Sequence, residues 1–327
     1  MPVQETQEPA PNIAPLIDFD WRKQRPLQLR PFKPKMFLTM GIQRMDASEL
    51  LQVDWDHFKR LSLRRSILEK SSHQAIFATP SSAPAVKEMY EWLTQTYLPQ
   101  RFPTIFERDA DSGGMMRNRV NGEEFSIQSA RDGGDALRSM AAMIDEDIMF
   151  LLPSGDDQGT YSLGAYAVCY VSGFDISRMQ GKMLREIHDE VPGYKDKLQF
   201  SMDRFFHRMK PQEYVKRENW TIVMDDKLCL DRDTNHFYND KHAYIPIGHD
   251  VSKACLRCER QVLHRLNRSR AIIFTYKTYL YNLRDIKEEG SGHALADAID
   301  GLGNVEGMPR YRGSMFWGDA VKHYLRH

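Results

Sequence analysis

Ala271-Ile-Ile-Phe-Thr-Tyr-Lys-Thr-Tyr-Leu-Tyr-Asn-Leu283 carries aromatic and β-branched side chains almost without interruption. Such side chains pack well on a pleated surface and lose χ1 freedom in a helix, so residues 271–283 read as a strand. Residues 161–174 and 219–224 have the same character. Helical spacing lies elsewhere. Val86, Met89, Tyr90, Leu93 and Tyr97 recur within 85–98, and Pro99 and Pro103 follow as stops. Leu137, Met140, Ile144, Ile148 and Leu151 form an apolar stripe that predicts a second helix over 135–152, beside the acidic run Asp145-Glu-Asp147. Leu198, Met202, Phe205 and Met209 predict a third over 195–209. The strands and helices do not alternate. That order argues against a doubly wound parallel sheet and for an α+β domain around an antiparallel one.

Around this centre, residues 1–35 hold many prolines and no apolar periodicity, which predicts a flexible proline-rich arm that settles only near residues 36–42. Residues 36–327 then form a single domain. Within it, 225–253 is rich in Asp, Asn, His and Lys with little periodicity, and reads as a long polar loop, a lid or an insertion. With 327 residues, 41% of them hydrophobic, the chain buries a sizeable core. Lys plus Arg and Asp plus Glu both number 45, so no global field draws it to nucleic acid or to an anionic membrane. The first fifteen residues are polar instead of leader-like, and no run of roughly 18 apolar residues occurs. Four cysteines are too few for a disulfide scaffold. These features predict an unanchored, cytoplasmic protein.

Most of the eleven histidines are expected at the surface or satisfied by hydrogen bonds. His188 stands out by context in Gly181-Lys-Met-Leu-Arg-Glu-Ile-His-Asp-Glu-Val-Pro192. It ends an amphipathic stretch, and Val191-Pro-Gly193 then turns the chain, which fixes the imidazole at the terminus of an element. Cys255-Leu-Arg-Cys258 admits zinc, with His249 and His264 flanking it, a thiolate haem ligand, or plain packing. The spacing fits no zinc-finger pattern, and packing is the preferred reading. Arg257 and Arg260 flank Glu259 on what looks like a strand, so they point to opposite faces, and an inward arginine calls for a haem propionate or a carboxylate. Gly301-Leu-Gly303 neither follows a strand nor has dinucleotide-loop spacing. A Walker loop, HExxH, GxSxG and iron–sulfur cysteine spacing are all absent from the sequence, so electrons for redox work come from outside the chain.

In order along the chain come Phe37-Leu-Thr-Met-Gly-Ile42, Leu51-Gln-Val-Asp54, Leu98-Pro-Gln-Arg-Phe-Pro103, Glu146-Asp147, Ile187-His188 with Val191-Pro192, and Arg217-Glu-Asn-Trp220. Leu256-Arg-Cys-Glu-Arg-Gln261, Ala271-Ile-Ile-Phe-Thr275 and Thr278-Tyr-Leu280 complete the series. From about residue 32 to residue 312 the chain thereby resembles the haem-dependent oxidative N-demethylase alpha-subunit-like family, including its fungal HRQ members. The resemblance implies a PAS-like antiparallel sheet with flanking helices around a haem b pocket. It also implies a monooxygenase-type attack, with molecular oxygen, on an amine carbon, with electrons from separate flavin and iron–sulfur partners. The histidine of the family's Ile-His-x-x-Val-Pro element falls on His188, implied as the axial ligand to iron. The Arg-x-Glu-Arg-Gln element falls on Arg257, Glu259, Arg260 and Gln261, and Arg-x-Asn-Trp on Arg217, Asn219 and Trp220. Arg217, Asn219, Arg260 and Gln261 are expected against the cofactor; Glu259, Arg257 and Tyr276 are expected to orient an amine or shuttle protons. Glu190 stands where the family pattern has a proline. Three roles stay open: demethylation of a small amine, tailoring oxygenation of a secondary metabolite with 225–253 as lid, and non-catalytic haem sensing.

Overall fold

The computed structural model describes residues 11–109, 114–128, 133–155, 159–230, 247–248 and 250–327. Its strands are β1 (Gln43–Arg44), β2 (Ile76–Ala78), β3 (Phe106–Asp109), β4 (Met115–Asn118), β5 (Glu124–Ser126), β6 (Asp147–Pro153), β7 (Tyr161–Ala167), β8 (Tyr214–Val223), β9 (Cys255–Arg265) and β10 (Ile272–Asn282). Seven of them form one sheet in the order β1-β8-β9-β10-β6-β7-β2, and β3-β4-β5 form a small second sheet. Every pairing is antiparallel. The α+β class and the antiparallel sheet agree with the sequence pattern.

Strands β9 and β10 pair along their whole length, from Arg265 opposite Ile272 to Cys255 opposite Asn282. Since side chains alternate along a strand, this register sorts them. Arg257, Glu259, Gln261, Phe274 and Tyr276 share one face; Arg260, His264, Lys277 and Tyr279 share the other. The second face is covered by α1 (His57–Ala75), α2 (Ala83–Trp92), α3 (Leu98–Arg101) and α4 (Gly133–Met143) at one end. At the other end it meets α8 (Gly292–Gly301) and α10 (Ser314–Arg326), with α7 (Leu283–Glu288) and α9 (Met308–Tyr311) completing the C-terminal layer. The first face is covered by the segment holding α5 (Leu184–Ile187) and α6 (Gln199–Arg208), through Leu184, Phe206 and Met209.

Several expectations need correction. The helix predicted over 135–152 ends at Met143, and its second half is the strand β6, held between β10 and β7. Most side chains of β6 are buried whichever face they point to, so its apolar residues run without alternation, a pattern compatible with either period. Asp145, Glu146 and Asp147 are buried, not set beside an apolar stripe. The strand expected over 161–174 stops at Ala167, and the one expected over 219–224 already starts at Tyr214. The helix over 85–98 does not stop before Pro99: a wide π-type turn, Leu93–Tyr97, leads into α3, whose first turn tolerates a proline. The helix near 195–209 forms as a π-type turn followed by α6.

Residues 11–35, expected as a loose arm, are strapped to the domain instead. Leu16 N–H donates to Arg101 O at 2.9 Å, Leu29 N–H to the Tyr281 hydroxyl at 3.0 Å, and that hydroxyl to Leu27 O at 2.6 Å. Ile13 and Leu29 are buried. Gly301 belongs to this strap, since a Cβ there would lie 2.4 Å from Pro34 O. Residues 1–10 lie outside the described residues, as do 231–246 and 249 of the polar loop. Among the described residues no helix is long and apolar enough to cross a membrane.

Candidate functional site

Arg217 and Asn219 of β8 stand opposite Gln261 and Glu259 of β9, which in turn stand opposite Tyr276 and Thr278 of β10. The sheet therefore brings Arg217, Asn219, Arg257, Glu259, Gln261 and Tyr276 onto one patch. Gln261 Nε2 donates to Glu259 Oε2 at 2.9 Å, and Arg257 Nε lies 3.7 Å from Glu259 Oε1. The guanidinium of Arg257 is otherwise committed to the chain, donating to Leu228 O at 2.7 Å and Tyr170 O at 2.6 Å. Its side chain is fully enclosed, whereas that of Glu259 keeps 17% exposure, which makes Glu259 the acid of this patch that a substrate can reach. The Tyr276 hydroxyl is buried, with the Asp147 carboxylate on the neighbouring strand within its hydrogen-bonding reach. Burial, then the Asp147 and Glu259 carboxylates, push its pKa well above the ordinary value, so it stays protonated.

His188 reaches this face on the segment that covers it. Met183 N–H donates to the Glu186 carboxylate at 2.7 Å, which starts α5, and Gly193, with φ 73°, turns the chain after Pro192. His188 closes α5, where its Nδ1 lies 2.7 Å from Leu184 O. A carbonyl only accepts, so Nδ1 carries the proton and Nε2 is left as a lone pair. Among the described residues Nε2 makes no hydrogen bond. The Tyr194 ring stacks on the imidazole with centroids 5.0 Å apart and planes at 20°. Burial lowers the His188 pKa; the Leu184 carbonyl raises it, and the Arg217 cation lowers it again. The net direction favours the neutral ring.

Two residues of this neighbourhood were not singled out from sequence. Arg312, directly after α9, donates from Nη2 to Asn219 Oδ1 at 3.0 Å and from Nη1 to Trp220 O at 3.2 Å. Ninety-two positions separate Arg312 from Trp220, and no local pattern announces the contact. Tyr194 lies just past the Gly193 turn, and its stacking partner becomes visible only once that turn has a direction. Met149 and Phe274, cross-strand neighbours in the middle of the sheet, are only half-buried, which leaves an apolar strip open beside Tyr276.

Arg260 does not join the patch. It points through the opposite face, donating to Glu49 O at 2.6 Å and Leu50 O at 3.3 Å. Cys255 and Cys258 also face opposite sides of β9 and are buried as free thiols, so they cannot hold one zinc ion together. Burial, with nearby aspartates, pushes the Cys255 thiol up to about 12. His264, the other flanking residue, is a core histidine stacked on Tyr214 and held down to about 3 by burial; His249 lies outside the described residues. Among the described residues no group of three or more His, Cys, Asp or Glu is placed to hold a metal. A groove of about 230 Å³ between the arm and the small sheet, lined by Phe19, Trp21, Arg22 and Arg119 among others, touches none of the patch.

A neutral histidine whose Nε2 makes no hydrogen bond among the described residues, an apolar strip, and two half-buried arginines with no carboxylate at ion-pairing distance form a setting suited to a planar, anionic, metal-bearing group. The family model described as haem-dependent oxidative N-demethylase, alpha subunit-like, matches residues 41–322. That span holds the large sheet, His188 and Arg312. The chain belongs to the haem-dependent oxidative N-demethylase alpha-subunit-like family.

Proposed function

We propose that this protein is an oxidative enzyme that binds haem b through His188 and oxidises the carbon next to nitrogen in an amine. Molecular oxygen is the oxidant, and a separate flavin and iron–sulfur reductase supplies the electrons. The observation that carries the reading is the His188 ring, tied at Nδ1 to Leu184 O, backed by Tyr194, and with no hydrogen bond at Nε2. Backbone capture of one ring nitrogen is the usual way a protein aims the other at a metal.

Haem, when bound, supplies the activation of oxygen that no side chain provides. The chain's own residues bind and orient. His188 would hold the metal, and Arg217, Asn219 and Gln261 would supply hydrogen-bonding groups to the carboxylates of the cofactor. Glu259, kept in place by Gln261 and Arg257, offers a carboxylate to an ammonium substrate. Tyr276, kept protonated by burial and the neighbouring Asp147 and Glu259 carboxylates, donates a hydrogen bond or passes a proton within the patch.

The test is the ultraviolet–visible spectrum of the protein reconstituted with haem, beside that of His188→Ala. A Soret band that loses its imidazole-ligand form in the variant is the expected result. No Soret band in the wild type, or an unchanged axial-ligand spectrum in the variant, overturns the assignment. Formaldehyde released from small methylated amines, with a surrogate reductase, then tests the demethylation.

A further inference from the structure

Arg217 and Arg312 converge on the same end of the patch without a counter-ion. Asn219 Oδ1, two residues from Arg217 on the same face of β8, accepts from Arg312 Nη2 at 3.0 Å, and this fixes Arg312 beside it. Among the described residues neither arginine has a carboxylate within ion-pairing distance. The Nε of each is buried and has no hydrogen-bond partner. Glu259 is the nearest acid to act on Arg217, but Gln261 and Arg257 already hold it. Burial, then the Arg312 cation, depress the Arg217 pKa, and Glu259 only partly offsets them. Arg312 donates one bond from each Nη to Trp220 O and Asn219 Oδ1, so it brings a fixed, uncompensated charge, while Arg217 has no side-chain hydrogen bond among the described residues; two such cations side by side match a pair of carboxylates.

We infer that Arg217 and Arg312 together clamp the two propionates of the haem, with Asn219 as the post that positions Arg312. This rests on the haem reading above and adds Arg312 as a residue that fixes how the group sits. The clamp also accounts for the like-charge arrangement, which without an anion only costs stability.

Spectral titration of the haem-free full chain with ferric protoporphyrin IX and with its dimethyl ester tests the clamp without reference to activity. The wild type is expected to bind the free acid at least about tenfold more tightly than the ester, or ~1.4 kcal/mol. Arg312→Gln is expected to bind both alike, and Arg312→Lys to restore part of the preference. Equal affinity of the wild type for acid and ester, with a Soret band in both, overturns the clamp and leaves the haem reading standing. A Soret band that stays at the position of the free porphyrin with both compounds overturns both. The acid-to-ester comparison on the wild type needs no variant, so it decides the matter even if Arg312→Gln does not fold.

Discussion

The two faces of β8, β9 and β10 carry similarly polar side chains and treat them in opposite ways. On the helix-covered face, Lys277 Nζ lies 2.9 Å from Asp54 Oδ2 and 3.1 Å from Asp145 Oδ2 and donates to Gln52 O at 2.6 Å. His57 and Arg60 approach the same Asp145 oxygen at 3.5 and 3.9 Å. Every cation in that cluster meets an anion. On the His188 face, Arg217 and Arg312 meet none among the described residues, and the Tyr194 hydroxyl has no partner there. Buried side-chain atoms without a hydrogen-bond partner occur on both sides, on His57 and Tyr279 as on Arg217 and Tyr194, so what separates the faces is charge: the helix-covered cluster is balanced within the fold and the arginine pair is not.

The largest effect should come from breaking the completed side. Lys277→Met strands Asp54 and Asp145 without their shared cation, and removing one partner from a buried ionic cluster costs about 3–5 kcal/mol. Urea unfolding of the variant is expected to show a loss of that size. A loss below about 1 kcal/mol would mean that the cluster is hydrated and the contrast between the faces is false.

A pH series sharpens the same comparison. Burial, then the neighbouring Asp145 charge, raise the Glu146 pKa to about 8 from 4.5. A carboxyl that holds its proton more tightly when folded favours the fold fully below pH 4.5, and that contribution is lost as pH rises to about 8. Asp145 goes the other way: burial opposes its charge, but Lys277, His57 and Arg60 outweigh burial and hold it well below the usual range. Its contribution is therefore lost only in strong acid, outside the Glu146 window. Glu146→Gln should match the wild type near pH 5 and exceed it by pH 9, by on the order of 4 kcal/mol. Parallel stability curves for the two proteins from pH 5 to 9 would show that Glu146 does not carry the proton.

These contrasts also explain what could be read from sequence. The strand at 271–283 was plain because aromatic and β-branched residues dominate it, and the partition of Arg257 and Arg260 between faces followed from their odd spacing. Helix α1 was not visible because its inward positions, spaced as an apolar stripe would be, are held by His57, Arg60 and Arg64 as well as Leu61. Their acceptors lie about 80 residues further along, as in the 2.6 Å ion pair of Arg64 with Asp147. The acidic run misled for the same reason: a carboxylate reads as solvated until its buried cation is known. In the candidate site, His188 was singled out by its local turn and by family order. Arg312 was not, since only the packing of α9 against β8 brings it to Asn219.

The smallest effect has the least common sign. In haem-free protein, Arg217 is a partly desolvated cation facing another cation, so removing its charge should not weaken the fold. Because arginine stays protonated at any working pH, this cost is constant with pH and cannot be titrated away. Arg217→Gln keeps a hydrogen-bonding side chain and lifts the repulsion. The haem-free variant is expected to equal the wild type or exceed it by ~1 kcal/mol, a figure kept small because solvent screens the half-buried group. Urea midpoints measured without haem check the sign. A loss of 2 kcal/mol or more would place Arg217 with Lys277 among the residues that complete the fold. A neutral or positive change would leave binding as the reason for its position.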